Sequence, residues 1–415
     1  MRESRTGEID LATTHSFDVI VVGGGIAGST LAGVLARSGL GVLVLEKEAH
    51  FRDRVRGEGT WPWGVAEALR AGLGDLLKQA GSVQLSALQK YNDGRLASTY
   101  LWATDSINGV SEIGFSHPRL QEEAFMWAGS QGATAIRPAK VVSVSHYGIS
   151  SVTVVQAGHS SEYTGRLIVG ADGKGSMARR WLGAEAIADP EHHRFGGVLV
   201  SGVHTDDRHA DNLADSGDVF VNWFAQSVDM TRLYLAAPSE RLHELGVDRS
   251  FDALVAVAAR AMPKGALEAA RCEGPIGFFA NSNIWASRIA GDDFVLIGDA
   301  AGAADPSQGL GTSLLFRDVR ELSELLLTNQ DWGSAIVEFA IRRRRYYEVI
   351  LGYDHWMCEL QFGKGEAADR ARGGHMRAEQ DDPTFGGFGL IEARGPDGLA
   401  ADETARRIFF GEASP

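Results

Sequence analysis

The sequence predicts an α/β fold, a three-layer domain whose parallel sheet is buried on both faces, with an antiparallel sheet inserted into it and a helical C-terminal region. Three observations support this. A β-branched run at residues 17–22 leads straight into a glycine-rich turn, a helical stretch at 30–37 and a second apolar run at 42–45. Two later short apolar runs, 166–170 and 293–298, each close on a Gly and an Asp, as buried strands returning to the same sheet would. Between them, 219–225 and 232–237 carry bulky aromatics in the manner of antiparallel strands.

Residues 1–16 mix charges with Thr and Ser, lack the order of an export signal, and read as a flexible tail. The first strand covers 17–22; the helix at 30–37 is closed by Gly39 and Gly41, and 42–45 forms the neighbouring parallel strand. Residues 84–100, centred on Asn92-Asp93-Gly94, read as a hairpin able to join the inserted sheet. From Leu310 to about Phe362 the pattern is helical; beyond it, glycine-rich segments such as 386–389 read as ordered loop or flexible tail. The domain plan is therefore a tail (1–16), a nucleotide domain (17–83, 101–185 and 286–330), a substrate domain (84–100 and 186–285) and a C-terminal helical region with tail (331–415).

A chain of 415 residues is larger than a single core normally supports. Forty basic against 54 acidic side chains give a net charge of −14, which repels phosphate backbones, so nucleic acid is not an expected partner. The most apolar stretch, 19–45, is broken by glycines and Arg37, so no membrane span is expected. Cys272 and Cys358 lie far apart with no Cys-x-x-Cys spacing and no neighbouring His cluster, which predicts neither disulfide nor metal site and suits a reducing cytoplasm.

Gly23-Gly24-Gly25-Ile26-Ala27-Gly28 is a Gly-x-Gly-x-x-Gly run between strand and helix, and Glu46 ends the next strand. Gly23 serves the tight turn, Gly25 lets backbone approach a pyrophosphate, and Gly28 lets helix and strand pack closely. Phosphates then meet unsatisfied amides at the positive helix end. Glu46 can accept the hydroxyls of an adenosine ribose. The motif alone leaves NAD and FAD both open.

Four further segments, read with this one, resemble the FAD-dependent monooxygenases built like p-hydroxybenzoate hydroxylase, the group A flavoprotein hydroxylases with a Rossmann-like FAD domain of GR2 type. They are Arg54-Val55-Arg56-Gly57, His117-Pro118-Arg119-Leu120, Gly170-Ala171-Asp172-Gly173, and Gly298-Asp299-Ala300-Ala301 continued by Pro306, Gly309 and Gly311. The likeness runs from Phe17 to about Arg345. It implies that Arg56 and Arg119 contact the cofactor, that Asp172 lies at the cofactor and nicotinamide approach, and that Asp299 accepts hydrogen bonds from the ribityl chain. A helix starting near Gly311 would aim its amides at the flavin ring. Asp318 falls where the family often has Asp; Ser313 stands where many members have Asn, and Asp305-Pro306 where many have a longer loop.

The resemblance implies reduction of the flavin by NADPH or NADH, addition of O2 to give a C4a-hydroperoxide, and hydroxylation or epoxidation of a small molecule. An apolar pocket is needed to keep water away. Trp223, Phe224, Tyr234, Phe278 and Phe279 are the candidates to line it, which points to a hydrophobic or aromatic substrate. With no second dinucleotide fingerprint, the hydride donor binds transiently or a separate reductase supplies reduced flavin. No catalytic base is assigned: His192, His193 and His204 lie in the insertion, and Arg342 to Arg345 read as a solvated helix face. The alternatives are a flavin-dependent halogenase, a flavin reductase of the geranylgeranyl type, and a nucleotide-binding regulatory protein. Gly57-Glu58-Gly59-Thr60-Trp61-Pro62 resembles the halogenases' Gly-Glu-x-Thr-x-Pro run, and Lys90 stands near their lysine. Their Trp-x-Trp-x-Ile-Pro signature is missing, however, and Lys90 beside a hairpin turn reads as surface charge.

Overall fold

The computed structural model describes residues 15–55, 57–145, 150–205 and 207–413. Arg56 and residues 1–14 of the expected tail lie outside them. His15 and Ser16 belong to the first strand, His15–Val22. This strand is central because its apolar residues alternate between two covered faces. Val19 and Val21 join the core under the helices on one side, Ile20 and Val22 the core on the other. It pairs in parallel with Val42–Leu45 and with the C-terminal part of His159–Gly170, which pairs in parallel with Phe294–Leu296. Thr134–Ile136 completes the parallel set beside Val42–Leu45.

The first helix, Ile26–Arg37, starts earlier than the expected residue 30. Its first turn carries Ala27 and Gly28, which lack the apolar bulk that marks a helix in sequence. It packs on the same sheet face as His117–Ser130 and Gly311–Thr328.

The second sheet runs in the order Arg271–Cys272, His193–Ser201, Met230–Ala237, Val219–Ala225, Ala210–Ser216, Ala87–Asn92, Arg95–Leu101. It is antiparallel except where Ala210–Ser216 pairs in parallel with Ala87–Asn92, which is how the hairpin joins it. Period-2 alternation divides its faces: Val221, Trp223, Leu233 and Leu235 pack under the helices Ser239–Leu245 and Phe251–Ala261, while Phe220, Phe224 and Tyr234 form a separate cluster on the other side.

Beyond Gly311–Thr328 comes the 31-residue helix Trp332–Phe362, then Glu366–Asp381. The glycine-rich segment is ordered as helical turns at Phe385–Leu390, with Phe388 buried between Tyr353 and Trp356. Arg342 and Arg344 are exposed and pair with Glu338 and Glu348 one helical turn away. Arg343 corrects the solvated-face reading. It is buried, with Nε 2.9 Å from Asp318 Oδ2, because it shares the inward stripe of Tyr346, Tyr347 and Ile350.

Candidate active site

A cavity of about 1300 Å3 runs from the C-terminal edge of the parallel sheet to the second sheet and the C-terminal helices. Gly23, Gly25, Glu46, Asp172, Asp299, Pro306, Gly309 and Gly311 all line it. At Gly23 φ is +107°, and a Cβ would stand 2.5 Å from Ala171 O, so the turn approaches the Asp172 loop as only glycine can. Gly28 lies behind the wall, where a Cβ would meet Gly23 O at 1.9 Å. Gly25 differs. The nearest protein atom to its Cβ position is 3.7 Å away, and at Gly311 nothing lies within 4 Å, so both missing side chains clear space for something other than protein.

Each of these glycines stands at a helix start with no side-chain cap and no acidic residue in the first turn. Uncapped amides at a positive helix end bind anionic or carbonyl oxygens. Glu46 Oε2 accepts from Gly24 N at 2.8 Å and Oε1 from Glu48 N at 2.8 Å, which holds the carboxylate in place on the cavity wall. These features would suit FAD: the amides at Gly25 would hold its pyrophosphate, Glu46 its ribose, and the helix start at Gly311 its flavin ring.

Supporting contacts join distant segments. Arg179 is buried and donates to Ala300 O and Asp299 O at 3.0 Å each, tying the Gly298-to-Ala301 turn to the short helix Met177–Trp181. Asp172 accepts from Met177 N and Ala178 N and so caps that helix from the cavity wall. Asp318 Oδ2 accepts from Gly298 N at 2.7 Å, and Tyr346 Oη donates to Oδ1 at 2.6 Å. The Asp318 and Arg343 pair therefore steadies the turn that carries Asp299. Ser313, where Asn is common in the resembling family, sits fully buried against Gly64, whose Cβ position is 2.3 Å from Ser313 Oγ. A larger side chain has no room there.

Three expected residues lie elsewhere. Arg119 is exposed and donates to Gln79 O at 3.2 Å, while its helix presents His117 and Gln121 to the cavity instead. Trp223 and Phe278 point to the helix-covered side of the second sheet. Their neighbours Phe224 and Phe279, with Tyr234, line the cavity, as alternation requires. Lys90 also departs from its surface reading. It lines the cavity half-exposed, with Nζ 4.0 Å from Glu379 and 5.1 Å from the Tyr100 ring centre.

The far end of the cavity holds charge pairings that the sequence did not announce. Glu58 Oε1 accepts from Arg232 Nη2 at 2.6 Å, Glu58 Oε2 from Tyr234 Oη at 2.6 Å, and Asp53 Oδ2 from Arg232 Nη2 at 2.9 Å. Burial raises the Glu58 carboxyl above its ordinary range, and Arg232 offsets this only in part. Glu112, Asp211, Asp215 and Glu392 also line the cavity, and burial raises all four, Asp211 to about 7. The C-terminal helices add Met357, Phe362 and Phe388 to the wall, which reading the insertion alone could not find.

Fold and cradle together define the class: an FAD-dependent oxidoreductase. Residues 16–335 match the family described as FAD binding domain, and the chain belongs to it. Among curated relatives, 1H-pyrrole-2-carbonyl-[peptidyl-carrier protein] chlorinase of Pseudomonas fluorescens is 26% identical over 82% of this chain and 84% of its own length. Squalene epoxidase 3 of Arabidopsis thaliana is 23% identical over 80% of this chain and 65% of its own. Among solved structures, PqsL, a probable FAD-dependent monooxygenase from Pseudomonas aeruginosa, superposes with a TM-score of 0.69 at 22% identity, covering 84% of this chain and 97% of that one. No helix among the described residues is long and apolar enough to cross a membrane.

Proposed function

We propose that the protein is a monooxygenase that uses NADPH or NADH and O2 to hydroxylate or epoxidise a hydrophobic or aromatic small molecule. The observation that carries this reading is the aromatic wall: Phe195, Phe220, Phe224, Tyr234 and Phe279 face the cavity beyond the flavin cradle. Bound FAD supplies electron transfer from the reductant and activation of oxygen. The chain's own part is to exclude water, which the ring faces do, and to hold the substrate against them. Tyr234 is fixed for this by its hydrogen bond to Glu58 and by stacking on Phe195 at 4.5 Å. The cytoplasmic setting stands on the two unpaired cysteines.

A second reading, a halogenase, is favoured by one observation, the place of Lys90 in the cavity wall. Aerobic NADPH oxidation with a panel of aromatic compounds, followed by mass spectrometry of products, separates the two. Substrate-stimulated oxidation with gain of one oxygen atom, retained in Lys90→Ala, is the expected result. A chlorinated product that needs chloride and an added reductase, and disappears in Lys90→Ala, overturns the monooxygenase reading. An untouched panel with a colourless protein points instead to a regulatory protein.

A further inference from the structure

We propose that His192, His193 and Cys358 form a binding site for one divalent cation of the zinc class, beside the loop of Asp305 and Ser307. The fold brings together residues that sequence spacing keeps apart. One ligand atom from each lies within 4.8 Å of the other two. His192 Nδ1 and His193 Nδ1 are 2.6 Å apart, with a single proton between them. Two imidazole nitrogens and one thiolate are the donor set that zinc prefers, and three protein ligands leave the fourth position of a tetrahedron to water.

The surroundings are those of a supported ligand. His193 is fully buried, its ring stacked on Phe362 at 4.0 Å. Its Nε2 lies 3.2 Å from Ser307 Oγ and 3.7 Å from Asp305 Oδ2, which places a carboxylate behind the imidazole, as metal-bound histidines have it. Asp354, one helical turn before Cys358, is buried with Oδ1 unpartnered.

Binding requires small rearrangements. Zinc–nitrogen bonds of ordinary length hold two ligand nitrogens about 3.3 Å apart, so the half-buried His192 ring swings outward by less than ~1 Å, and the Cys358 thiol, within 4.8 Å of the imidazole nitrogens, closes to the roughly 3.6 Å that a shared zinc requires. The Cys358 thiol proton leaves to solvent. The His193 proton moves from Nδ1 to Nε2, and that ring stays neutral. Asn281 Nδ2 now donates both to Nε2 and to Asp305 Oδ1; the carboxamide turns over so that Oδ1, buried and unpartnered, accepts from Nε2, and the bond from Nδ2 to Asp305 Oδ1 is given up. Asp305 Oδ1 keeps its bonds from Ser307 N and Oγ. Because Ser307 and Phe362 also line the flavin cavity, the cation would clamp the 305–307 loop.

The test uses the flavin-loaded protein in a Cys272→Ser background, so that Cys358 is the sole thiol. After incubation with zinc chloride and desalting, one zinc per chain by mass spectrometry is expected, with alkylation of Cys358 by iodoacetamide slowed about tenfold or more and restored by a chelator. Cys358→Ser, nearly isosteric, and His192→Ala should each retain no zinc while keeping their flavin spectrum and circular dichroism. No retained zinc together with unchanged alkylation would leave only a histidine–histidine hydrogen bond and overturn the proposal. Equal zinc in the parent and in Cys358→Ser would overturn it as well.

Discussion

At the nucleotide end of the cavity the contacts come from backbone amides and missing side chains within residues 23–46, whereas at the far end they come from charged side chains that meet across as many as 179 residues. The first kind of site is rigid and has little freedom to vary, since each glycine answers a distance of closest approach. The second can be altered residue by residue, and each change exposes its partner to an uncompensated burial. One end of the cavity is thus set by local geometry, and the other by tertiary pairing.

The sharpest way to break this contrast is to separate two glycines of one motif. Gly28→Val should abolish soluble, folded protein, because its Cβ falls on Gly23 O. Gly25→Val should fold with the melting temperature of the flavin-stripped parent and lose its yellow colour, because its side chain enters the cavity. Flavin retained by Gly25→Val, read from absorbance after gel filtration, would remove the basis for placing the pyrophosphate there.

Next in size is the far end. Arg232→Met leaves Glu58 buried without its main partner and should cost about 3–5 kcal/mol in urea unfolding. The double variant with Glu58→Gln should recover much of the loss. Equal destabilisation in single and double variants would mean that packing, not charge, holds this corner.

Ser313→Asn should destabilise by about 1–3 kcal/mol through overpacking against Gly64, while Ser313→Ala should be nearly neutral, since Ser313 Oγ has no partner. Chemical denaturation of both decides whether sterics explains the departure from the resembling family.

The smallest effect is a slope. Burial pushes Asp211 up to about 7, so between its ordinary 3.8 and 7 the folded chain holds a proton that the unfolded chain has released. The associated stability is full below pH 3.8 and is lost as pH rises through 7. Asp211→Asn should flatten that part of the stability profile; an unchanged slope would assign it to Glu112, Asp215 and Glu392, whose carboxyls are also raised.

How far the site was legible follows the same division. The Gly23 to Gly28 turn, Glu46, the Asp172 loop and the Asp299 turn could be read because each is a short contiguous pattern whose meaning is backbone geometry. Arg119 was misplaced because a residue at a helix start has several directions open to it, and packing chose the one toward Gln79. Trp223 and Phe278 were named together with their strand neighbours Phe224 and Phe279, although adjacent strand residues face opposite sides; alternation separates such pairs, and the covering helices decide which face each takes. The signal for Arg343 was present in its helical spacing with Tyr346, Tyr347 and Ile350, but four consecutive arginines concealed it.

By itself, the sequence determined an α/β chain with a dinucleotide cradle, an inserted aromatic sheet and a helical end, because hydrophobic period, glycine placement and strand-end acids act over a few residues at a time. Only the tertiary structure decided that Lys90 faces the cavity, that Arg232 neutralises Glu58, and that His192, His193 and Cys358 come together. Each of these depends on where separate elements stop against one another, which is set by the packing of whole sheets and helices and is written in no single segment.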